Sequence, residues 1–199
     1  MKESAYVICP VREVTPEEKR IIDDYVNIIE SEGCKTHYPL RDVNQIEPIG
    51  LRILTEHRDA MKNVTKTIAY WNGRSQGSFF DLGMSFMSEK PFSLMNLNVN
   101  FSENEMSQFV FSYAFPAAKP FDIYHELKIE RETIKKSKLL EYEWKDSNWR
   151  FLFNFGMAFM SEKPVILKNR KFVEQNRTSH KSFQNVLLAL DEKYRLNLV

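Results

Sequence analysis

The residues best suited to bind or react with a ligand lie in and after a short polar loop, Asn72 to Ser78 (NGRSQGS). An apolar segment precedes this loop and another follows it, which predicts that a strand ends and a helix begins here. The first N–H groups of a helix lack intrahelical acceptors and carry partial positive charge, so Ser75, Gly77 and Ser78 are well placed to bind a phosphate group. The same residues also form an ordinary helix-capping sequence, and their spacing leaves both interpretations open.

Asp81 follows this loop, and its neighbours in the sequence are aromatic and aliphatic (FFDLGM). We expect Asp81 in the first turn of the helix, where a carboxylate complements the helix dipole. An acid among apolar side chains is also poorly solvated, which suits it to act as a nucleophile or as a general acid or base. Asp81 is therefore a candidate catalytic residue.

The segment that contains Asp81 occurs twice in the chain. FDLGMSFMSEKP at 80–91 returns as FNFGMAFMSEKP at 153–164, with nine of the twelve residues identical at an offset of 73. In the second copy Asn154 replaces Asp81, and bulkier residues replace the small residues of the preceding loop. Loss of the carboxylate in a segment that is otherwise nearly unchanged favours a functional role for Asp81, and it predicts that only the first copy is an intact site. The glycine that both copies share predicts a helix that approaches the sheet closely.

Strands and helices alternate along the first half of the chain. Apolar runs predict strands at 5–9, 34–38, 67–71 and 92–95, with helices between them. The first helix begins with the capping residue Thr15 and the proline Pro16, and it ends at Gly33. This alternation predicts an α/β fold, a parallel sheet with helices on both faces. Ligands of such sheets bind beyond the carboxyl ends of the strands, which is where the 72–78 loop lies.

The second half of the chain has a less regular pattern. We interpret 96–120 as an irregular stretch, 123–136 as a charged helix, 165–167 as a strand and 182–194 as a final helix. The repeat at 139–167 is interpreted as a degenerate strand-helix-strand unit that extends the same sheet. We expect a single α/β domain over 1–199, in which 1–95 form the core with the intact motif and 96–199 form an extension.

The composition argues against several classes of function. Twenty-eight Lys and Arg residues balance 27 Asp and Glu residues, so binding of a nucleic-acid polymer by bulk charge is not expected. The two cysteines lack metal-ligand spacing, and we expect neither a metal nor a cofactor. The sequence opens without a secretion signal, and no apolar run approaches the ~20 residues that span a bilayer. We therefore expect a cytoplasmic protein that binds a small molecule and no membrane.

Two segments of the chain resemble a known family. YVICPVR at 6–12 and SQGSFFDLGMSF at 75–86 resemble the nucleoside 2-deoxyribosyltransferases and their hydrolytic relatives, the 2′-deoxynucleoside 5′-monophosphate N-glycosidases. The likeness covers about residues 5–95. It implies a flavodoxin-like or Rossmann-like sheet in a homodimer or higher oligomer. The implied activity is cleavage of the N-glycosidic bond of a nucleoside or its 5′-monophosphate, by hydrolysis or by deoxyribosyl transfer, without a cofactor.

The resemblance also implies roles for individual residues. Asp81 lies at the position of the family's nucleophile, a glutamate just before Leu-Gly, and Tyr6 matches the tyrosine of its first strand. Tyr6 would fix Asp81 or line the sugar pocket. Arg12 matches the arginine that closes the first loop, and Ser75 matches the serine that binds phosphate in the hydrolases. Arg12 and the 75–78 loop would together hold a 5′-phosphate.

The family has a further acid before its third strand, and Asp59 corresponds to it best, with His57 and Glu56 as alternatives. This group would protonate the departing base or orient Asp81. Asp81 itself would stabilise an oxocarbenium-like sugar by charge or trap it covalently, as in retaining glycosidases.

The sequence departs from the family pattern at two places. Cys9 and Pro10 replace the usual Gly-Ser of the substrate loop, which removes backbone freedom and a hydroxyl where Pro10 is expected to contact the substrate. Asp81 is also one methylene shorter than glutamate. A displacement of the reactive oxygen by roughly 1 Å can cost on the order of 100-fold in rate.

Polar residues follow the second predicted strand at the same edge of the sheet. They are His37, Arg41, Asp42 and Asn44 (HYPLRDVN). Two interpretations of these residues are open. In one they contact the base or the ribose of a ligand, with Arg41 as the candidate binding residue, and in the other they build a polar loop.

Two other functions compete with glycosidic cleavage. A nucleotide-binding or sensor protein that keeps the pocket without turnover would explain the departures at Cys9, Pro10 and Asp81. A partner-binding protein would use the aromatic-rich segment 96–120 as its contact surface.

Overall fold

The computed structural model of the protein describes residues 3–12, 14–46, 49–118, 120–177 and 182–196. No helix among the described residues combines the length and the apolar character needed to cross a membrane. The elements in chain order are β1 (Ser4–Ile8), α1 (Pro16–Ser31), β2 (Lys35–His37), α2 (Pro39–Asp42), α3 (Leu51–Asn63), β3 (Lys66–Ala69), α4 (Gln76–Ser88), β4 (Phe92–Leu94), α5 (Glu105–Ala114), α6 (Asp122–Lys136), β5 (Leu140–Tyr142), α7 (Trp149–Met160), β6 (Val165–Leu167), α8 (Arg170–Asn176) and α9 (Phe183–Leu196).

Four strands form a parallel sheet in the order β2-β1-β3-β4. The predicted α/β class and the parallel sheet are confirmed, and the fold is Rossmann-like. The chain leaves β1 toward β2 and then returns to place β3 on the other side of β1. This reversal of direction opens a crevice at the carboxyl ends of β1 and β3, the place where ligands of doubly wound sheets bind.

Helices cover both faces of this sheet, as the sequence predicted. Successive side chains of a strand point to opposite faces. On one face Val7 of β1 packs with Ile22 and Val26 of α1. On the other face Tyr6 and Ile8 belong to the larger core that includes side chains of α3 and α4.

The start of α1 is fixed by reciprocal hydrogen bonds. The Glu18 N–H donates to the Thr15 hydroxyl at 3.2 Å, and the Thr15 N–H donates to the Glu18 carboxylate at 2.9 Å. Such a capping box satisfies N–H groups that have no acceptor within the helix. Gly33 follows the helix with φ +92°, a left-handed conformation that favours glycine. Both predicted boundaries of α1 are confirmed.

The second copy of the repeat does not extend the sheet, contrary to the sequence-based expectation. Its strands β5 and β6 pair in parallel as a separate two-stranded sheet. The physical reason lies in α7, whose buried side chains Leu152, Phe153 and Phe155 join the core around α4. The second copy therefore packs on the helical layer of the first.

Helices α4 and α7 approach each other at one glycine of each. A Cβ added to Gly83 would lie 2.0 Å from the carbonyl oxygen of Phe153, and a Cβ added to Gly156 would lie 2.0 Å from that of Phe80. Gly156 and Phe153 are the counterparts of Gly83 and Phe80 at the offset of 73. The contact is thus reciprocal, like an isologous dimer interface formed within one chain. The close approach that the shared glycine predicted is to a helix, not to the sheet.

The loops before α4 and α7 are held in the same way. The side chain of Asn96 accepts from the Trp71 N–H at 2.8 Å and donates to the Trp71 carbonyl at 2.7 Å. Asn169 makes the same pair of hydrogen bonds with Trp144, at 3.1 and 2.6 Å. The repeat in the sequence is therefore matched by equivalent backbone contacts.

One helix lies where an irregular stretch was expected, and a second lies in a segment for which no element was predicted. Within 96–120, α5 begins after Asn104, whose side chain accepts from the Ser107 N–H at 2.9 Å. Its buried residues Met106, Phe109 and Val110 have helical spacing, a signal that the aromatic content of the segment obscured. They pack in the main core, so this part of the segment is not a free contact surface. The second helix, α8, is a short element that carries no clear signal in the sequence.

Gly83→Ala is expected to destabilise the protein by about 3 kcal/mol or more, because the added methyl group meets backbone atoms that cannot rotate away. For a chain of this size that loss lowers Tm by roughly 6–12 °C, which calorimetry would detect. Gly77→Ala is the matched control. Its Cβ would meet little but the Ser75 hydroxyl at 3.9 Å, so the change should be neutral or slightly stabilising. Equal Tm values for the two variants would contradict the helix contact.

Candidate functional site

A cavity of about 620 Å³ lies at the carboxyl ends of β1 and β3. Its volume is typical of pockets that bind small molecules. The loop after β1 contributes Cys9, Val11 and Arg12 to its lining, the loop after β3 contributes Arg74 and Ser75, and the start of α4 contributes Gln76 and Gly77. The predicted position of this polar segment at the carboxyl end of the third strand is therefore confirmed.

Asp81 lines this cavity and is only 4% exposed. The helix begins at Gln76, so Asp81 lies in its second turn and not in the first, as the sequence analysis expected. At that position its carboxylate is not a partner of the free N–H groups at the helix start. The Tyr6 hydroxyl donates a hydrogen bond of 3.0 Å to Asp81 Oδ2. The pairing of Tyr6 with Asp81 that the resemblance implied is present.

His57 contacts the second oxygen of the same carboxylate. Its Nδ1 lies 3.5 Å from Asp81 Oδ1, beyond the usual length of a hydrogen bond. His57 is buried and lines the cavity, and neither of its ring nitrogens has a hydrogen-bond partner among the described residues. A buried imidazole with unpaired nitrogens is free to hydrogen-bond a ligand in the cavity.

Asp59 is not brought to this site. Its side chain is 56% exposed and lies 3.2 Å from Arg58 Nε. His57 and Asp59 are two residues apart on α3 and so point to different sides of the helix. Glu56 also faces away and pairs with Arg52. Of the three alternatives before the third strand, the structure places His57 beside Asp81.

The half-buried ring of His37 also packs against Tyr6. The rings of Tyr6 and His37 stack at a centroid distance of 5.4 Å, and the Tyr6 and His57 rings meet edge to face at 5.9 Å. Burial lowers the pKa of His37, against the opposing effect of the Asp42 carboxylate. Burial and the Asp81 carboxylate raise the pKa of Tyr6 well above its ordinary value, so Tyr6 stays a hydrogen-bond donor. The same two causes raise the pKa of the Cys9 thiol.

The start of α4 provides hydrogen-bond donors next to the carboxylate. The Ser75 hydroxyl caps the helix by accepting from the Ser78 N–H at 3.3 Å. Gln76 and Gly77, whose N–H groups belong to the first turn, line the cavity. The Ser78 side chain is buried without a hydrogen-bond partner among the described residues, and it does not line the cavity. The helix-capping interpretation of Ser75 is thus confirmed, and its place in the lining leaves the phosphate-binding interpretation open.

Two arginines contribute to the lining of the cavity. Arg12 and Arg74 both line it, from the loops after β1 and β3. Arg74 donates to the Glu18 carboxylate at 2.7 Å, so the capping box of α1 also holds the loop after β3. The sequence analysis had singled out Arg12 and not Arg74.

Arg41 and Pro10 do not line the cavity. Arg41 makes hydrogen bonds with Glu30 at 3.0 Å and with Asp42 at 2.7 Å, on the outer side of the β2 edge. Pro10 is buried between Cys9 and Val11, which do line the cavity. Arg41 and Asp42 thus form an ion-pair network with Glu30, which agrees with the polar-loop interpretation for these two residues.

The rest of the lining comes from parts of the chain that the motifs did not indicate. Trp144, Asp146 and Ser147 belong to the loop before α7, and Phe183 and Val186 belong to α9. These residues are far from the first copy in sequence, and tertiary packing alone brings them to it. Among the described residues, no group of three or more His, Cys, Asp or Glu side chains could hold a metal ion.

Lowering the pH is expected to reveal the burial of His37. Because its pKa is lowered in the folded protein, the unfolded chain takes up a proton at His37 first, below about pH 6.5. The free energy of unfolding therefore falls between about pH 7 and pH 5, and His37→Gln should reduce that loss. Urea unfolding at the two pH values measures this loss of stability. His125→Gln, on the exposed face of α6, is the control. The same loss in wild type and in His37→Gln would contradict this assignment.

Comparison of the chain with protein-family models, with curated proteins and with solved structures gives no match. The chemistry of the site is therefore the basis on which its function has to be argued.

Proposed function

We propose that the protein cleaves the N-glycosidic bond of a nucleoside or its 5′-monophosphate, with Asp81 as the attacking carboxylate. One observation carries this proposal. A buried carboxylate lines a cavity of ligand size, with the Tyr6 hydroxyl on one of its oxygens and the His57 imidazole near the other. Buried charged groups are costly, and their occurrence in a pocket is typical of functional sites.

The substrate would be bound at its phosphate by the loops and the helix start, and at its sugar by Asp81. Arg12 and Arg74 supply charge for a 5′-phosphate, and the N–H groups of Gln76 and Gly77 supply directed hydrogen bonds. Asp81 lies in the next turn of the same helix, about 6 to 8 Å along its axis. A sugar whose phosphate is bound at the helix start can therefore reach the carboxylate.

In the first chemical step Asp81 Oδ1 attacks the anomeric carbon, while Tyr6 holds Oδ2. The bond between that carbon and the base nitrogen breaks, and its electron pair goes to the base. His57, as the imidazolium, gives a proton to the departing base. The products of this step are the free base and a glycosyl ester of Asp81.

In the second step neutral His57 removes a proton from water, and the water oxygen attacks the anomeric carbon. The ester bond breaks, Asp81 regains its negative charge, and the sugar is released. A second base in place of water would give transfer instead of hydrolysis. Tyr6 acts in both steps by holding the carboxylate in position.

We also propose that 139–167 is a degenerate copy of 66–94 without a site of its own. The bounds of β4 and β6 differ by the same offset of 73 as the sequence repeat. Asn154 stands in place of Asp81, and a carboxamide cannot serve as the nucleophile. A homodimer remains part of the proposal, but it would use a surface other than the face of α4 at Gly83, because α7 covers that face.

The proposal is tested by chromatographic detection of free base. The protein is incubated with a panel of nucleosides and their 5′-monophosphates, ribo and deoxy. We expect release from one class, with monophosphates preferred if Arg12 and Arg74 bind phosphate. Asp81→Asn should lower the rate by about a thousandfold or more, since it removes the nucleophile. His57→Gln should lower it by about 100-fold or more, since it removes the proton donor.

Two variants serve as controls in the same assay. Asp24→Asn makes the same change on the exposed face of α1, and Asp59→Asn makes it at the exposed acid of α3. Both should keep the wild-type rate. Full loss in Asp59→Asn with no effect in His57→Gln would overturn the role of His57. Ligand-dependent stabilisation without release of base from any compound would favour the non-catalytic nucleotide-binding protein instead.

A further inference from the structure

The cavity lining includes apolar side chains that the proposed reaction does not use. They come from the first half of α3, which contributes Ile53 and Leu54, and from α9, which contributes Phe183 and Val186. The phosphate-binding residues of the proposal belong to the loops after β1 and β3 and to the start of α4. One cavity is thus lined by groups that suit a phosphate, by His57 and Asp81, and by a set of apolar side chains.

Helix α3 sets the distance between these apolar side chains and His57. A Cβ added to Gly50, just before α3, would lie 3.6 Å from Val186 Cγ2, so the start of α9 packs on the start of α3. Ile53 and Leu54 lie one turn before His57, about 5 Å along the helix. Both line the same cavity as Asp81, and this spacing from His57 is comparable with the length of a base joined to a sugar.

Phe183 is an aromatic side chain of this lining. Its ring lies 5.2 Å from the ring of Phe80 and 6.4 Å from that of Phe155, measured between centroids. Phe80 belongs to α4 and Phe155 belongs to α7, so both copies of the repeat support it. Phe183 is only partly buried and lines the cavity. A partly open ring that two others hold in place is a preorganised surface for stacking.

From this arrangement we infer that Phe183, with Ile53 and Leu54, forms the subsite for the aromatic heterocycle of the substrate, an inference that rests on the proposed function. The carboxamide of Gln184 also lines the cavity and can donate to and accept from the edge of a base. Asn176 lines the cavity too, and its amide donates one hydrogen bond to the Phe172 carbonyl at 2.8 Å. The substrate class is accordingly a mononucleotide recognised at both its phosphate and its base. The second copy of the repeat has no nucleophile, but it would still contribute to the site. Helix α7 supports the base subsite, and the loop before α7 forms part of the cavity wall.

Binding of mononucleotides and of ribose 5-phosphate, which has no base, tests this inference by titration calorimetry. Full-length protein with Asp81→Asn is used throughout, so that turnover does not disturb the measurement. We expect at least one of the adenosine, guanosine, cytidine and uridine monophosphates to bind about tenfold or more tightly than ribose 5-phosphate. Phe183→Leu should reduce that preference about fivefold and leave the affinity for ribose 5-phosphate unchanged.

The matched control is Phe172→Leu, at a phenylalanine of α8 that is 48% exposed and outside the cavity lining. It should change neither affinity. Gln184→Ala, at a partly buried position, is the second variant and should alter the ranking of the four monophosphates. Unchanged affinity for ribose 5-phosphate shows that each variant has kept its fold.

Two results would overturn the base subsite and leave the proposed function intact: equal binding of ribose 5-phosphate and of every mononucleotide, or unchanged mononucleotide affinity in both cavity variants. If Phe183→Leu weakens ribose 5-phosphate as much as the mononucleotides, Phe183 has a general structural role and the subsite is also overturned. Failure of the parent protein to bind any of these compounds would also overturn the subsite, whereas the proposed function would then be decided by base release from nucleosides and deoxynucleotides.

Discussion

The contact between the backbones of α4 and α7 at Gly83 and Gly156 is the constraint on which the rest of the structure depends. Helix α4 lies between the parallel sheet on one side and α7 on the other, and most of its residues are buried. Side chains larger than hydrogen at the two glycines would separate the helices. Because α4 also carries Ser75 at its start and Asp81 in its second turn, the same contact fixes the position of the site.

Burial around Asp81 has two consequences. Hydrogen bonding by Tyr6 holds one oxygen of the carboxylate, and the low exposure of the site strengthens electrostatic interactions within it. The neighbouring His57 keeps both of its ring nitrogens without a hydrogen-bond partner among the described residues. A buried imidazole without a hydrogen-bond partner lowers the stability of the fold. Proton transfer to a ligand is a function that would explain why the imidazole is nevertheless present at the wall of the cavity.

Local sequence patterns were sufficient to predict most of the first half of the chain. Thr15 and Gly33 mark the ends of α1 by capping chemistry, and apolar runs mark the four strands, because these signals act within a few residues. The position of Asp81 within its helix was predicted one turn too early, because Ser75, Gly77 and Ser78 resemble a loop as much as a helix start. Helix α5 was missed because its burial depends on packing with distant residues such as Phe86.

The candidate site was predictable only in part for the same reason. Residues near Asp81 in the motif, such as Ser75 and Gly77, could be listed from the sequence. Choosing His57 over Asp59 required the direction in which each side chain leaves α3. Phe183 and Trp144 could not be found from any motif, since they reach the cavity through the packing of the second copy and α9. The duplicated segment was visible in the sequence. That the second copy packs on α4 and does not join the four-stranded sheet could not be predicted from it.

The proposed reaction passes through a covalent bond between Asp81 and the sugar, and this bond can be trapped. Protein mixed with its cleavable nucleotide is quenched in acid during turnover, digested, and examined by peptide mass spectrometry. We expect an added sugar phosphate on the peptide that contains Asp81, and no such addition when Asp81→Asn protein is used. An adduct on another residue, or base release with unmodified peptide at every time of quenching, would contradict it.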